Sequence, residues 1–145
     1  MIKSFLMLGQ SNMAGRGFLH EVEPIYNEKI KMLRNGQWQM MTEPINYDRP
    51  VAGVSLAASF AEAWSKAHPD EEIGLIPCAE GGSSLDDWHP EGTLFQHACP
   101  KLALLLKRVK FVAYFGIKVK VTAIVLYMKR IMRSYLSLLK LCVKN

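Results

Sequence analysis

At 145 residues, half of them hydrophobic, the chain has material for one core and not for two, which excludes a multidomain assembly. The three cysteines, Cys78, Cys99 and Cys142, are widely spaced with no CxxC pair; this excludes a disulfide framework and a zinc pattern and reads them as small buried hydrophobes. The net charge of +5 divides abruptly, since residues 1–100 carry 7 Lys/Arg and all 13 Asp/Glu whereas residues 101–145 carry 11 Lys/Arg and no acid.

In chain order, Phe5-Leu6-Met7-Leu8 is an apolar run of strand length that breaks at Gly9 and passes into Ser11 and Asn12, residues suited to a turn or helix cap. A serine in such a strand-to-helix turn is held out at the end of a sheet, where its own N–H and those of the next turn point at a developing oxyanion. Gly9, Gly15 and Gly17 leave room for a substrate near the backbone. Met13–His20 continues as a short helix or loop. Lys29–Leu33 alternates like an exposed strand, and Arg34-Asn35-Gly36-Gln37 is a hairpin turn into Trp38–Met41. Thr42–Pro50, with two prolines, is irregular. After Gly53, the stretch Ser55–Ala67 sets Leu56, Phe60, Ala63 and Trp64 at helical spacing, the expected core stripe.

Ile73–Pro77 is a second short apolar strand, left through a second glycine-rich turn, Cys78-Ala79-Glu80-Gly81-Gly82-Ser83-Ser84. Thr93 caps a helix from about Leu94 to Lys110, with Pro100 inside it or marking its first turn. Strand, turn and helix repeated twice predict an α/β fold, a three-layer α/β/α sandwich with a parallel sheet. Active sites in such sheets gather at the carboxyl ends of the strands, where both glycine-rich turns fall. Adjacent Asp86 and Asp87 diverge in direction and read as a turn and helix cap rather than an acid–base pair. His20, His68, His89 and His97 read as surface or loop histidines, with His89 a further candidate for touching substrate. Trp88 reads equally as a packing residue and as a sugar-stacking ring.

Gly9-Gln10-Ser11-Asn12-Met13-Ala14-Gly15 resembles the first block of the SGNH (GDSL-type) hydrolases, in the branch of the sialate O-acetylesterase and acetylxylan esterase-like carbohydrate esterases. Leu75-Ile76-Pro77-Cys78-Ala79-Glu80-Gly81-Gly82-Ser83-Ser84, followed by Leu85-Asp86-Asp87-Trp88, is similar to that family's IPxxxGGTSxxxW segment. The resemblance covers roughly the first 108 residues. It implies a metal-free and cofactor-free carbohydrate esterase that removes acetyl groups from sugar esters through an acyl-enzyme on Ser11. Gln10, Asn12 and Gly53 then belong to the oxyanion and substrate-binding set, with the Gly53 N–H a donor to the oxyanion. Gly81, Gly82, Ser83 and Trp88 shape the floor and wall of the acyl and sugar site. The implied partner is an acetylated carbohydrate, with no nucleic acid and no membrane.

The pattern then departs from the family, which supplies a WxQGExD segment after the helix and a DxxH pair near the carboxyl terminus. No histidine follows His97 and no acid follows Glu91, so the base for Ser11 is missing. Joining the third base of each codon to the first two of the next across Tyr114–Thr122 permits Phe-Trp-His-Gln-Gly-Glu-Ser-Asp, the segment the family carries there. The expectation is therefore an SGNH-like domain over 1–110, incomplete at its C-terminus, and a basic tail over 111–145 that is out of frame. A truncated chain of that kind is expected to be weakly active or inactive. The alternative is a non-catalytic remnant whose basic tail, with a helical apolar spacing beyond Thr122, binds nucleic acid or an anionic membrane. No secretory h-region precedes the Ser11 turn, and the densest late apolar run, Val121–Met128, has eight residues; the expected location is the cytoplasm.

Overall fold

The computed structural model describes residues 2–84, 86–89, 91–106 and 110–115. Its first strand, β1 (Ile2–Met7), begins ahead of the apolar run because Lys3 and Ser4 are carried into the sheet by pairing. Lys3 keeps its charge at the margin through an ion pair with Glu71 at 3.1 Å. The Ser4 hydroxyl is buried without a hydrogen-bond partner among the described residues.

The remaining strands are β2 (Ile30–Arg34), β3 (Gln37–Met40), β4 (Glu72–Pro77) and β5 (Lys110–Phe115), in the sheet order β3-β2-β4-β1-β5. Only β3 is antiparallel; β1 runs parallel to both β4 and β5, and β2 parallel to β4. The β2–β3 hairpin turns through Asn35 and Gly36, both at positive φ (51° and 75°) as a two-residue turn of matching twist requires. With β5 the sheet takes in the first residues of the basic segment. The rest of that segment, including the expected helix after Thr122 and the alternative-frame reading, lies outside the described residues.

Side chains alternate across β1 and β4, so Phe5, Met7, Ile73 and Leu75 enter one core with Ile30, Met32 and Met41, while Leu6 and Ile76 are buried on the opposite face. Each such side chain removed from water contributes about 2 kcal/mol. Helix α2 (Leu56–Ala67) starts where the Ser55 hydroxyl accepts the Ala57 N–H at 3.3 Å. Its buried face differs from the expected stripe: Ala57, Ala58, Ala61 and Ser65 meet the sheet, while Leu56 is 44% exposed. Small residues let the helix approach closely, and Phe60 and Trp64 flank that contact edge-on against Phe5, at ring-centroid separations of 5.1 and 5.8 Å. Helix α3 (Thr93–Leu106) stops short of Lys110, because the chain there is already the start of β5. Together α2 and α3 flank the sheet, as the α/β expectation requires. No helix among the described residues is long and apolar enough to cross a membrane.

Candidate active site

Ser11 opens a four-residue helix, α1 (Ser11–Ala14), directly beyond the carboxyl end of β1. Gln10 is extended and caps that helix through its carbonyl, which accepts the N–H groups of Met13 and Ala14, each at 2.9 Å. Met13 and Ala14 are buried in the α2 core and anchor the turn from beneath, while Ser11 is half-buried and Asn12 exposed. The helix ends at once because Gly15 sits at φ +100°, a conformation that side chains resist. With Met13 and Ala14 bonded to Gln10, the N–H groups of Ser11 and Asn12 are those that the first helical turn leaves for an outside acceptor.

Gly53 is brought against this turn from the other side. Its N–H donates to the Gly15 carbonyl at 3.2 Å, and Gly17 and Val54 exchange two backbone hydrogen bonds at 2.8 and 3.1 Å. The packing leaves no room for side chains: a Cβ on Gly53 would overlap the Gly17 carbonyl oxygen, and one on Gly15 the Gly53 carbonyl oxygen. The Gly53 N–H, assigned to the oxyanion by resemblance, is thus engaged with the Gly15 carbonyl in this arrangement.

The second glycine-rich turn lies alongside. Cys78 and Glu80 donate their N–H groups to the carbonyls of Met7 and Gly9 at 3.1 and 3.0 Å, lacing the end of β4 to the end of β1. Asp48, which the sequence reading passed over, joins the two turns. One of its oxygens receives Arg16 Nη2 at 2.6 Å and the Gly81 N–H at 2.7 Å, and Arg49 donates to the Gly81 carbonyl at 2.7 Å. Burial works against the Asp48 charge, but the Arg16 hydrogen bond, the Gly81 N–H and the nearby guanidinium outweigh it and hold the carboxyl below its ordinary value. The face of Gly81 is flush against the Arg16 guanidinium, where a Cβ would collide. No periodicity or spacing marks Asp48 or Arg49, since the contacts run across 32 to 33 residues of chain.

Beyond Gly81, Gly82 turns at φ +83° and is exposed. Ser83 donates to the Glu80 carbonyl at 2.8 Å and accepts the indole N–H of Trp88 at 3.1 Å. Trp88 is 6% exposed and presents little of its ring to solvent. Asp87 caps the Ser84 N–H and hydroxyl at 2.7 and 2.8 Å, the turn-capping role expected of it, and those two hydrogen bonds hold its carboxyl below the ordinary value.

Around the opposite flank of the Gly53 segment, Glu43 accepts the N–H groups of Ser55 and Ile45 at 2.9 and 3.0 Å. Burial pushes its carboxyl up despite those hydrogen bonds. Among the described histidines, His68 stacks on Trp64 and its ring lies against the Trp64 carbonyl, and His20 lies beside Phe18. Among the described residues there is no cluster of His, Cys, Asp and Glu able to hold a metal ion.

The model of the family described as carbohydrate esterase, sialic acid-specific acetylesterase, matches residues 2–127 of the chain. The chain belongs to this family. Among relatives, the probable carbohydrate esterase At4g34215 of Arabidopsis thaliana is 28% identical over 112 residues, 63% of this chain and 43% of that protein. The X-ray structure of the Arabidopsis thaliana protein AT4G34215 superposes with a TM-score of 0.68 at 25% identity, over 79% of this chain and 56% of that one. The chain therefore spans about half the length of the relatives it matches.

Proposed function

We propose that the turn after β1 carries the nucleophile of a serine carbohydrate esterase that removes acetyl groups from sugar esters. The observation that carries this reading is the position of Ser11, at the carboxyl end of a central parallel strand and at the first residue of the helix that follows, where the N–H groups of the first turn have no intrahelical partner. The Ser11 oxygen attacks the acetyl carbonyl while a base takes its proton. The oxyanion is held by the N–H groups of Ser11 and Asn12. The carbonyl reforms, the sugar oxygen leaves with a proton, and water then releases acetate from the acyl-enzyme. Gln10 and Gly53 hold the Ser11 turn in place through backbone hydrogen bonds, and Gly81, Gly82, Ser83 and Trp88 build the neighbouring turn that borders the sugar.

In this reading the chain is weakly active or inactive by itself, since no histidine follows His97 and no carboxylate follows Glu91 to serve and orient the base. The alternative frame across Tyr114–Thr122 is the proposed origin of that loss; sequencing the coding DNA beyond codon 145 in that frame tests it, and a frame without a DxxH overturns it. Function is tested by supplying the base from solution. Hydrolysis of p-nitrophenyl acetate by the full chain is followed against added imidazole and compared with Ser11→Ala under the same conditions. An imidazole-dependent rate above that of Ser11→Ala supports the assignment, and identical rates for the two chains contradict it.

A further inference from the structure

A concavity lies over the carboxyl ends of β2 and β4, between the β2–β3 hairpin and α3, with a volume of about 510 Å³. That lies within the range of small-molecule sites, about 300 to 1,000 Å³. It shares Asp48 and the Cys78–Glu80 wall with the loops that hold the Ser11 turn. By strand order β2 is two positions from β1, so its mouth is about 10 Å from that turn at about 4.8 Å per strand. None of the residues that the family motifs mark lines it, apart from the segment at the end of β4.

Its walls have the chemistry of a carbohydrate subsite. Tyr47 is 67% exposed, with the Arg34 guanidinium 4.6 Å from its ring centroid on one side, which leaves the other ring face to solvent. Asn35, Glu80 and His97 add hydrogen-bonding groups around the rim. The charges around it are of both signs: Arg34 donates to the Pro44 carbonyl at 3.2 Å, Lys101 donates to the Pro77 carbonyl at 3.1 Å, Asp48 is paired with Arg16, and Glu80 adds a carboxylate. Asn46 is fixed to the Ala79 carbonyl, which makes the floor rigid. An aromatic face among polar groups, with charges of both signs rather than a cluster of cations, suits a flat, polyhydroxylated ligand better than an anion.

We infer that this concavity, through Tyr47, binds a second, neutral sugar ring of the substrate, so that the preferred ligand is an acetylated oligosaccharide rather than a single acetylated sugar. The inference rests on the esterase reading for its substrate class, but it is tested by binding and not by turnover. Binding of xylotetraose, cellotetraose and mannotetraose to the full chain is measured by NMR titration or calorimetry beside the corresponding methyl glycosides and N-acetylneuraminic acid. At least one tetrasaccharide is expected to bind about tenfold more tightly than its methyl glycoside. Tyr47→Ala is expected to weaken that binding about fivefold, and Tyr47→Phe, which keeps the ring, to retain it. Because Tyr47 is exposed, the alanine variant is expected to fold as the parent does, which its denaturation curve checks.

Equal binding of tetrasaccharides and methyl glycosides overturns the proposal, as does unchanged binding by Tyr47→Ala. Tighter binding of N-acetylneuraminic acid than of every neutral tetrasaccharide overturns it too. Ser11→Ala is expected to bind the tetrasaccharide like the parent. A missing Ser11-dependent rate together with Tyr47-dependent binding would therefore remove the acyl-enzyme reading and leave this one standing.

Discussion

The two glycine-rich turns leave the same end of the sheet, one after β1 and one after β4, and are held by different forces. The Ser11 turn is locked by steric contact: Gly15 and Gly53 press against backbone carbonyls, those of Gly53 and Gly17, with no room for a Cβ. The Gly81 turn is held by side chains, with Asp48 and Arg49 on its N–H and carbonyl and Ser83 on the indole of Trp88. A sterically locked turn fixes its serine independently of pH. A turn held by charge and hydrogen bonds is the more adjustable wall, and it responds to protonation and to substitution in graded steps.

The contrast is broken most severely at Gly15. An alanine there meets both a positive φ and the Gly53 carbonyl, so Gly15→Ala is expected to destabilise the chain by about 3 kcal/mol, read from denaturant unfolding. Gly36→Ala is the control: its φ is also positive, but nothing lies within 4 Å of the added Cβ, and about 1 kcal/mol is expected. Equal losses at the two sites would show that backbone conformation alone, not packing, holds the Ser11 turn.

Asp48→Asn comes next, with about 2 kcal/mol expected; the carboxylate is 1% exposed, but its partner Arg16 is 26% exposed and keeps some solvation after the loss. The pH dependence has a definite sign. A carboxyl held below its ordinary value of 3.8 contributes stability that is fully present above that pH and is lost as pH falls through the folded value. The parent should therefore lose stability on acidification below about 3.8 more steeply than Asp48→Asn does. Parallel curves for the two chains would remove Asp48 as the clasp between the turns.

Ser83→Ala is smaller. It leaves the buried Trp88 indole N–H without its acceptor, for about 1 kcal/mol and a changed tryptophan fluorescence. Asp87→Asn is the smallest, confined to faster amide exchange at Ser84, since the carboxylate caps that N–H from an exposed position. A global loss of stability from Asp87→Asn would mean that the second turn is not built in graded steps.

Much of this arrangement was legible in the sequence because it is local. The apolar runs at β1 and β4, the Asn35-Gly36 hairpin and the helical spacing after Ser55 each declare themselves within a few residues. The expected stripe of α2 holds in part, since Phe60 and Trp64 pack against the core, but the most buried face is Ala57, Ala58, Ala61 and Ser65 because close helix–sheet approach favours small residues over one such as Leu56. Lys3 and Ser4 lie in β1 through pairing with β4, a long-range effect that composition does not carry. Likewise the Arg16–Asp48–Gly81 clasp and the exposed ring of Tyr47 arise where the loop after β3 folds over the sheet end. No motif contains that loop, and only the tertiary structure brings it to the site.

The central claim is that Ser11 is the acyl-accepting nucleophile. The most direct measurement is mass spectrometry of the full chain quenched after reaction with p-nitrophenyl acetate and imidazole, followed by peptide mapping. An acetyl group is expected on the peptide that contains Ser11 and is expected to be absent from Ser11→Ala. Acetylation confined to lysines, or the same pattern in Ser11→Ala, would contradict the account.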